Sequence, residues 1–516
     1  MAEERQTVYE EGGSSTAARR RGLGLSLAVS TGEAPSSRRL SSVAVWPEHF
    51  VESVAAQVAV DAALSEGRLA AGPAIANFFQ VNSTWREISH SEMLWQDLTN
   101  RVWSHHHRHL PSWRAEFIQL HRTAQNFRMH RSVHSRLLAP TYPARSCCCL
   151  SISDAYLAAG FLDGNVCVFT LPNGALIANF SCHPSRDRLG RFSQCVSGLA
   201  FLSNPNRVVF AYRDGDVHVG LLNDGPLGTS HRAHAGTVMV DGSLVDFTGN
   251  NQWWVGLFAG APGRSWHVWD ANTEQLIYVG GSLTDADALM GWRMLTDFGA
   301  PVVGHVRLAG SGMAVGCSSS RIQVMDLENP GFVINELVLQ QGEPAVDAVD
   351  ATREGRIVYV DLNGVAKVCR VPVLDEVCSF DALRRDMQGQ HHREVARVVA
   401  CMNWGYVICF SSWAGVWDSH TGEFLYRFRE RIGHVVAAVG NNRNVAAWSD
   451  DSGLHLWDFG AISSEAVGVL AIDVAQQIEN NLHLEPASSF LKLYQCSWQQ
   501  EMGELKEEKQ WLKRGE

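Results

Sequence analysis

The chain has 516 residues, 46% hydrophobic and 19% charged, with a formal net charge of −11. That length is more than one small core needs, so two or more domains are expected. The acidic balance argues against a broad nucleic-acid-binding face, and no apolar run reaches the roughly 18 residues that span a bilayer.

Residues 1–42 are rich in Gly, Ser, Ala and Arg without an apolar period, which predicts a disordered tail. Its clusters Arg19-Arg20-Arg21 and Arg38-Arg39 suit nuclear import, so the expected location is the nucleus, the cytoplasm or both. The opening MAEERQ lacks a secretory pattern, and twelve Cys in such a chain point to reduced intracellular thiols.

Residues 43–100 read as a small all-helical module. Pro47 suits a first helical turn, with Phe50, Val54 and Val58 following on one face. Asp61 to Gly72 is Ala- and Gly-rich and reads as a loop insertion. Ile75, Phe78, Val81, Trp85 and Ile88 then recur at three and four, which places them on one helix face. Ser91 and Glu92 suit the start of another helix, carrying Leu94, Trp95 and Leu98. Helices this short are marginal alone and are expected to pack on something else.

Residues 101–140 form a predicted helical linker, with one helix over Trp113–Phe127. The tract His105-His106-His107-Arg108-His109 invites a zinc reading. Adjacent side chains diverge, however, and no Cys or carboxylate set completes four ligands, so a solvated linker is expected. Neither a phosphate-cradling loop nor a nucleophile elbow is present. No catalytic residue, metal site or cofactor is expected.

From 141 to 462 the texture changes to short alternating runs between Gly, Asp and Asn turns. Phe169, Gly220, Trp269, Met325, Cys369, Trp417 and Trp457 recur as equivalent positions, 51, 49, 56, 44, 48 and 40 residues apart. This is close to the period of about 40–45 in WD repeats, which predicts a seven-bladed β-propeller and a mostly β fold. Cys147-Cys148-Cys149 alternate faces on a strand and read as small buried residues. Trp253, Trp254 and Trp404 are candidate rim anchors. Residues 463–516 read as a C-terminal tail, partly helical.

Two resemblances follow. The last unit, Gly433-His434 through Asp450-Asp451 to Trp457-Asp458, resembles a WD repeat, which implies hydrogen bonds among His434, Asp451 and Trp457 within one blade. The order of residues from Pro47 to Trp95 resembles an F-box, with Trp46 where the family usually has Leu and extra length before Ile75. Together they resemble the F-box/WD-repeat substrate receptors of cullin ubiquitin ligases, which perform no chemistry themselves. That resemblance implies docking on a Skp-type adaptor and cullin scaffold through Pro47, Phe50, Val54, Ile75, Phe78, Val81, Trp85, Leu94 and Trp95. It also implies a protein substrate on the propeller face, with Arg213, Arg264, Arg321 and Arg356 near inter-strand turns as candidate phosphate readers. Nucleic acid and membrane are not expected partners. The alternative is a WD-repeat scaffold that assembles a complex without a ligase role.

Overall fold

The computed structural model describes residues 46–461 apart from 82, 138–146, 172, 182–190, 203–205, 223–227, 284–303, 311, 319–320, 340–345, 353, 362, 383–397, 403–404 and 412. The predicted tails at 1–42 and 463–516, with their basic clusters, lie outside the described residues. So does Trp404.

Ala residues set the first helices. In α1 (Glu48–Glu66) the buried line is Val51, Ala55, Ala56 and Ala59, small side chains that let neighbouring helices approach. Gly67, at φ 93°, ends α1, and a 3₁₀ turn over 68–70 leads into α2 (Ala71–Phe79). The piece expected to be a loop insertion is thus largely helix, because Ala is the best helix former. The single face expected over 75–88 is instead split between α2 and α3 (Ser83–Glu87), followed by a 3₁₀ turn over 88–90. Ser91 caps α4 (Glu92–Trp103) as its sequence suggests, its hydroxyl accepting from the Leu94 amide at 3.4 Å. Ser112 caps α5 (Trp113–Arg128) in the same way, accepting from Ala115 at 3.1 Å.

The histidine tract between α4 and α5 is only partly solvated. His105 lies 3.2 Å from Glu116, and Glu116 Oε2 accepts from the amides of His109 and Leu110 at 3.0 and 2.9 Å. A buried carboxylate thus gathers the loop onto α5, while His106, His107 and His109 face solvent.

The chain leaves α5 through His130, at φ 54°, and enters β1 (Val133–Leu137). Four-stranded meanders follow. The first is β2 (Cys147–Ile152), β3 (Tyr156–Phe161), β4 (Val166–Thr170) and β5 (Leu176–Phe180). After α6 (Arg191–Gln194) come β6 (Val196–Leu202), β7 (Arg207–Tyr212), β8 (Val217–Leu221) and β9 (Ser230–His234). After α7 (Val238–Asp241) come β10 (Ser243–Gly249), β11 (Trp253–Ala259), β12 (Trp266–Asp270) and β13 (Gln275–Gly280). Then follow β14 (Gly304–Ala309), β15 (Met313–Ser318), β16 (Arg321–Asp326) and β17 (Val333–Val338). Next are β18 (Val346–Ala351), β19 (Arg356–Asp361), β20 (Val365–Arg370) and β21 (Asp375–Asp381). After them come β22 (Val398–Met402), β23 (Tyr406–Phe410), β24 (Ala414–Asp418) and β25 (Phe424–Arg427). The last run is β26 (Val435–Gly440), β27 (Asn444–Ser449) and β28 (Gly453–Asp458).

The fold is mostly β, a propeller in which five four-stranded blades stand as separate sheets. Strands β6–β13 make one eight-stranded sheet, joined where β10 meets β6 through a single parallel pairing of Phe247 with Gly198. Gly198 permits that approach, since a Cβ there would collide with the Phe247 carbonyl. First strands lie side by side around a closed circuit, from β2 against β6 onward to β26 against β2. The last sheet is completed by β1, which pairs antiparallel with β28 from Val133↔Asp458 to Leu137↔Leu454. Residues 133–137, expected within the helical linker, therefore fasten the ring.

The seven recurrent positions all fall near the end of a third strand, in β4, β8, β12, β16, β20, β24 and β28. Each pairs with the second strand of its own unit, as Trp269↔Trp254 and Trp457↔Val445 do. Gly220 carries no side chain because Phe180 of the preceding unit fills the space one would need. The expected His–Asp–Trp network of the last unit takes a different form. Asp451 accepts from the His434 backbone amide at 2.8 Å, and the Trp457 indole donates to Glu430 at 2.9 Å. Trp448 packs edge-on against Phe161, its indole nitrogen buried without a hydrogen bond.

Helices and ring share one apolar cluster. It runs from Val51, Ile75, Leu98 and Trp103 through Phe117 and Phe127 to Tyr406, Phe428, Val445, Trp457 and Phe459. Phe127 is the joint, with ring centroids 4.6 Å from Tyr406 and 4.5 Å from Phe459. Asn126 donates to the Phe459 carbonyl at 3.0 Å, and Arg68 pairs with Glu354.

Candidate partner-binding face

Four of the nine residues expected to dock an adaptor are spent inside the protein. Ile75, Phe78, Leu94 and Trp95 belong to the shared core, and Trp95 donates to the Ser89 carbonyl at 2.7 Å. Phe50, Val54, Val81 and Trp85 are half-buried, and Pro47 is exposed. Trp85 lies flat on Phe78, with centroids 4.3 Å apart and planes at 15°. The helical spacing grouped positions that are variously buried, half-buried and exposed. It did not identify what covers them.

The four candidate arginines divide by topology. Arg213, Arg264 and Arg321 lie at turns between second and third strands, at one end of their meanders. Arg356 begins a second strand, which puts it at the opposite end. There it donates to Ser419 Oγ at 3.1 Å and contacts His420, in the same turn as Glu354, the partner of Arg68. Arg356 thus belongs to the seam with the helices, separate from the other three.

On the first face, acidic residues of α7 and β17 answer two of the arginines. Arg264 Nε and Nη2 donate to Asp241 Oδ1 at 3.1 and 2.6 Å. Arg321 approaches Glu336 at 3.4 Å. Beneath Asp241, His267 is fully buried, stacked on Phe258 at 3.9 Å, and burial pushes its imidazole down to about 4. Burial also pushes the Asp214 carboxyl, in the neighbouring turn, up to about 6, against the pull of the Asp216 amide. Next to Arg264, α7 presents Met239 at 93% exposure and Val240 at 55%. An exposed apolar pair thus adjoins an arginine–aspartate pair on this face. Sequence reading missed it, because two apolar residues in a four-residue helix carry no period. It also placed Trp254 at the rim, whereas Trp254 is fully buried and Trp253 half-buried.

A second missed arrangement holds neighbouring first strands together. Asp246 on β10 accepts from the Val306 amide at 3.0 Å and from Arg307 Nη1 at 2.7 Å, and Arg307 Nε lies 3.4 Å from Asp350 on β18. Burial would raise the Asp246 carboxyl, but Arg307 and His305 hold it below the usual carboxylate range. The same attraction holds Arg307 above its ordinary value despite its burial. One signal was legible: Arg307 is a lone charge between apolar neighbours in a strand. Among the described residues, no group of three or more His, Cys, Asp or Glu side chains is placed to hold a metal ion. No described helix is long and apolar enough to cross a membrane.

No family model matches the chain. Over 451 residues it is 44% identical to the Arabidopsis thaliana protein "Transcriptional regulator STERILE APETALA", covering 86% of this chain and 98% of that protein. The solved structures to which it is similar include the following three. One is the β-propeller domain of Myceliophteria thermophila Cps50 (Swd1), at 12% identity and TM-score 0.46, covering 63% of this chain and 99% of that one. The others are U3-55K (11% identity, TM-score 0.48, covering 63% and 98%) and the RRP9 WD40 repeats (11% identity, TM-score 0.49, covering 63% and 97%).

Proposed function

The chain belongs to the family of the STERILE APETALA transcriptional regulator, and on that premise we propose that it is a non-catalytic WD-repeat scaffold holding a transcription-regulating complex together in the nucleus. The relative's identity across nearly its whole length carries this reading.

The same finding corrects the ligase-receptor expectation. The relative bears the name of a transcriptional regulator, and no family model, the F-box included, matches the helical segment. The Skp-type adaptor and cullin scaffold are accordingly set aside as partners.

In the architecture we propose, the eight-stranded sheet counts as two blades touching at one bridge. The ring then has seven blades over 133–458, and the helices of 48–128 act as a fixed buttress. A protein partner would seat on the face carrying Arg213, Arg264, Arg321 and α7, where exposed apolar area adjoins paired charges.

Tethering the full chain to a promoter through a heterologous DNA-binding domain tests the reading. Reporter output is expected to change, and a Met239→Asp/Val240→Asp double variant is expected to reduce that change severalfold while remaining folded and nuclear. An unchanged reporter with a folded, nuclear wild-type fusion would overturn the scaffold reading.

A further inference from the structure

Cys148 and Cys195 belong to consecutive meanders, 47 residues apart in sequence, yet their sulfurs lie 3.4 Å from one another. Both are free thiols. The contact has a specific cause in the backbone. On β2, Cys147 pairs with Phe161 and Cys149 with Gly160, so Cys148 is the extra residue of a β-bulge. A bulge re-aims its side chain, here out of the alternation that would have carried Cys148 back into its own sheet. Other units use the same device for adhesion. Ser197, bulged on β6, donates to the Leu244 carbonyl at 2.9 Å at the start of β10. Among the described residues, the contact of Cys148 with Cys195 is the one of this kind in which both partners are thiols.

We propose that Cys148 and Cys195 form a peroxide-oxidisable pair whose disulfide staples two neighbouring propeller sheets beneath the turn that carries Arg213. The separation is close to van der Waals contact, so closing it to a bond of about 2.05 Å requires the sulfurs to approach by less than a bond length. Chemistry supports the geometry. Cys195 shares a hydrogen bond with Cys148 and is pulled down to about 7 by it, against its burial and with help from Arg213. Cys148 is held well above the thiol range by the same bond and by its own burial. The pair thus shares one proton as an anion near neutral pH.

Cys148 is a half-buried residue and Cys195 is 2% exposed. The Cys195 thiolate, its proton already shed, attacks hydrogen peroxide through Sγ. The O–O bond breaks, Cys195 becomes a sulfenic acid and hydroxide leaves to take up the proton shed earlier. Cys148 Sγ then attacks Cys195 Sγ, the S–O bond breaks, and water departs with the Cys148 proton. Two thiols have lost two electrons, and one peroxide has become two waters.

The test uses the purified full-length protein, reduced and then exposed to hydrogen peroxide. Remaining thiols are blocked with maleimide, and peptides are mapped without reduction. A peptide linking the 147–149 segment to the segment holding Cys195 is expected. It should be reversed by dithiothreitol and lost in both Cys148→Ser and Cys195→Ser, each of which keeps a side chain of similar size. The proposal is overturned if both thiols remain alkylated after peroxide, or if the link persists in Cys148→Ser through Cys147 or Cys149.

Discussion

The helical module and the ring bury apolar surface by different rules. In the ring, a strand's alternation states both which residues are inside and what they face, since neighbouring strands and sheets are set by pleat and register. In the helices, a three-and-four period states only which side avoids water. Ile75, Phe78, Leu94 and Trp95 read equally well as a docking stripe and as a core. The structure puts them in a core that continues through Phe127 into β23, β27 and the end of β28. An amphipathic helix next to a large domain should therefore be credited first to that domain.

Breaking the joint separates a shared core from two independent ones. Phe127→Ala removes a fully buried ring between α5, Tyr406 and Phe459, and is expected to cost about 3–5 kcal/mol. In calorimetry, a single wild-type transition should move down as a whole. Two wild-type transitions, only one of them shifted, would mean that helices and ring unfold separately.

A smaller effect is expected within the ring. Asp246→Asn leaves Arg307 with Asp350 alone and should cost about 2 kcal/mol, between a buried and a surface pair because these side chains keep some exposure. The sign with pH follows from the depressed carboxyl. Its contribution is complete above the ordinary carboxylate range and is lost as pH falls through the lower folded value. Chemical denaturation from neutral pH downward should thus give the variant a shallower acid loss than wild type. Parallel curves would mean that Asp246 does not carry that charge linkage.

The smallest change sharpens the comparison at the edge of the helical module. Trp85 is half-buried and stacked on one partner, so Trp85→Ala should cost only about 1–2 kcal/mol, with circular dichroism unchanged. Trp95→Ala, by contrast, empties a buried site and strands the Ser89 carbonyl. Equal destabilisation by the two would mean that Trp85 is also a core residue.

Much of the ring was legible in the chain itself. Most third strands end on a large residue that helps close the sheet's face; Cys369 and Gly220 are smaller, and at Gly220 Phe180 supplies the volume. Ser91 announced its helix because a hydroxyl at that position satisfies an amide that nothing else can reach. The candidate face was scarcely legible. Arg213, Arg264, Arg321 and Arg356 look alike in sequence, and only strand direction sorts three to one end and one to the other.

Local composition and period thus determined the helical and β character, the interval of the units and the residues that avoid water, since these depend on neighbours a few positions away. Tertiary structure alone decided three things: that β1 closes the last sheet across more than three hundred residues, that a bulge turns Cys148 toward Cys195, and that Phe127 fuses helices to ring. Each is a contact between segments remote in sequence. Its partner is chosen by chain path and packing, which no local pattern encodes.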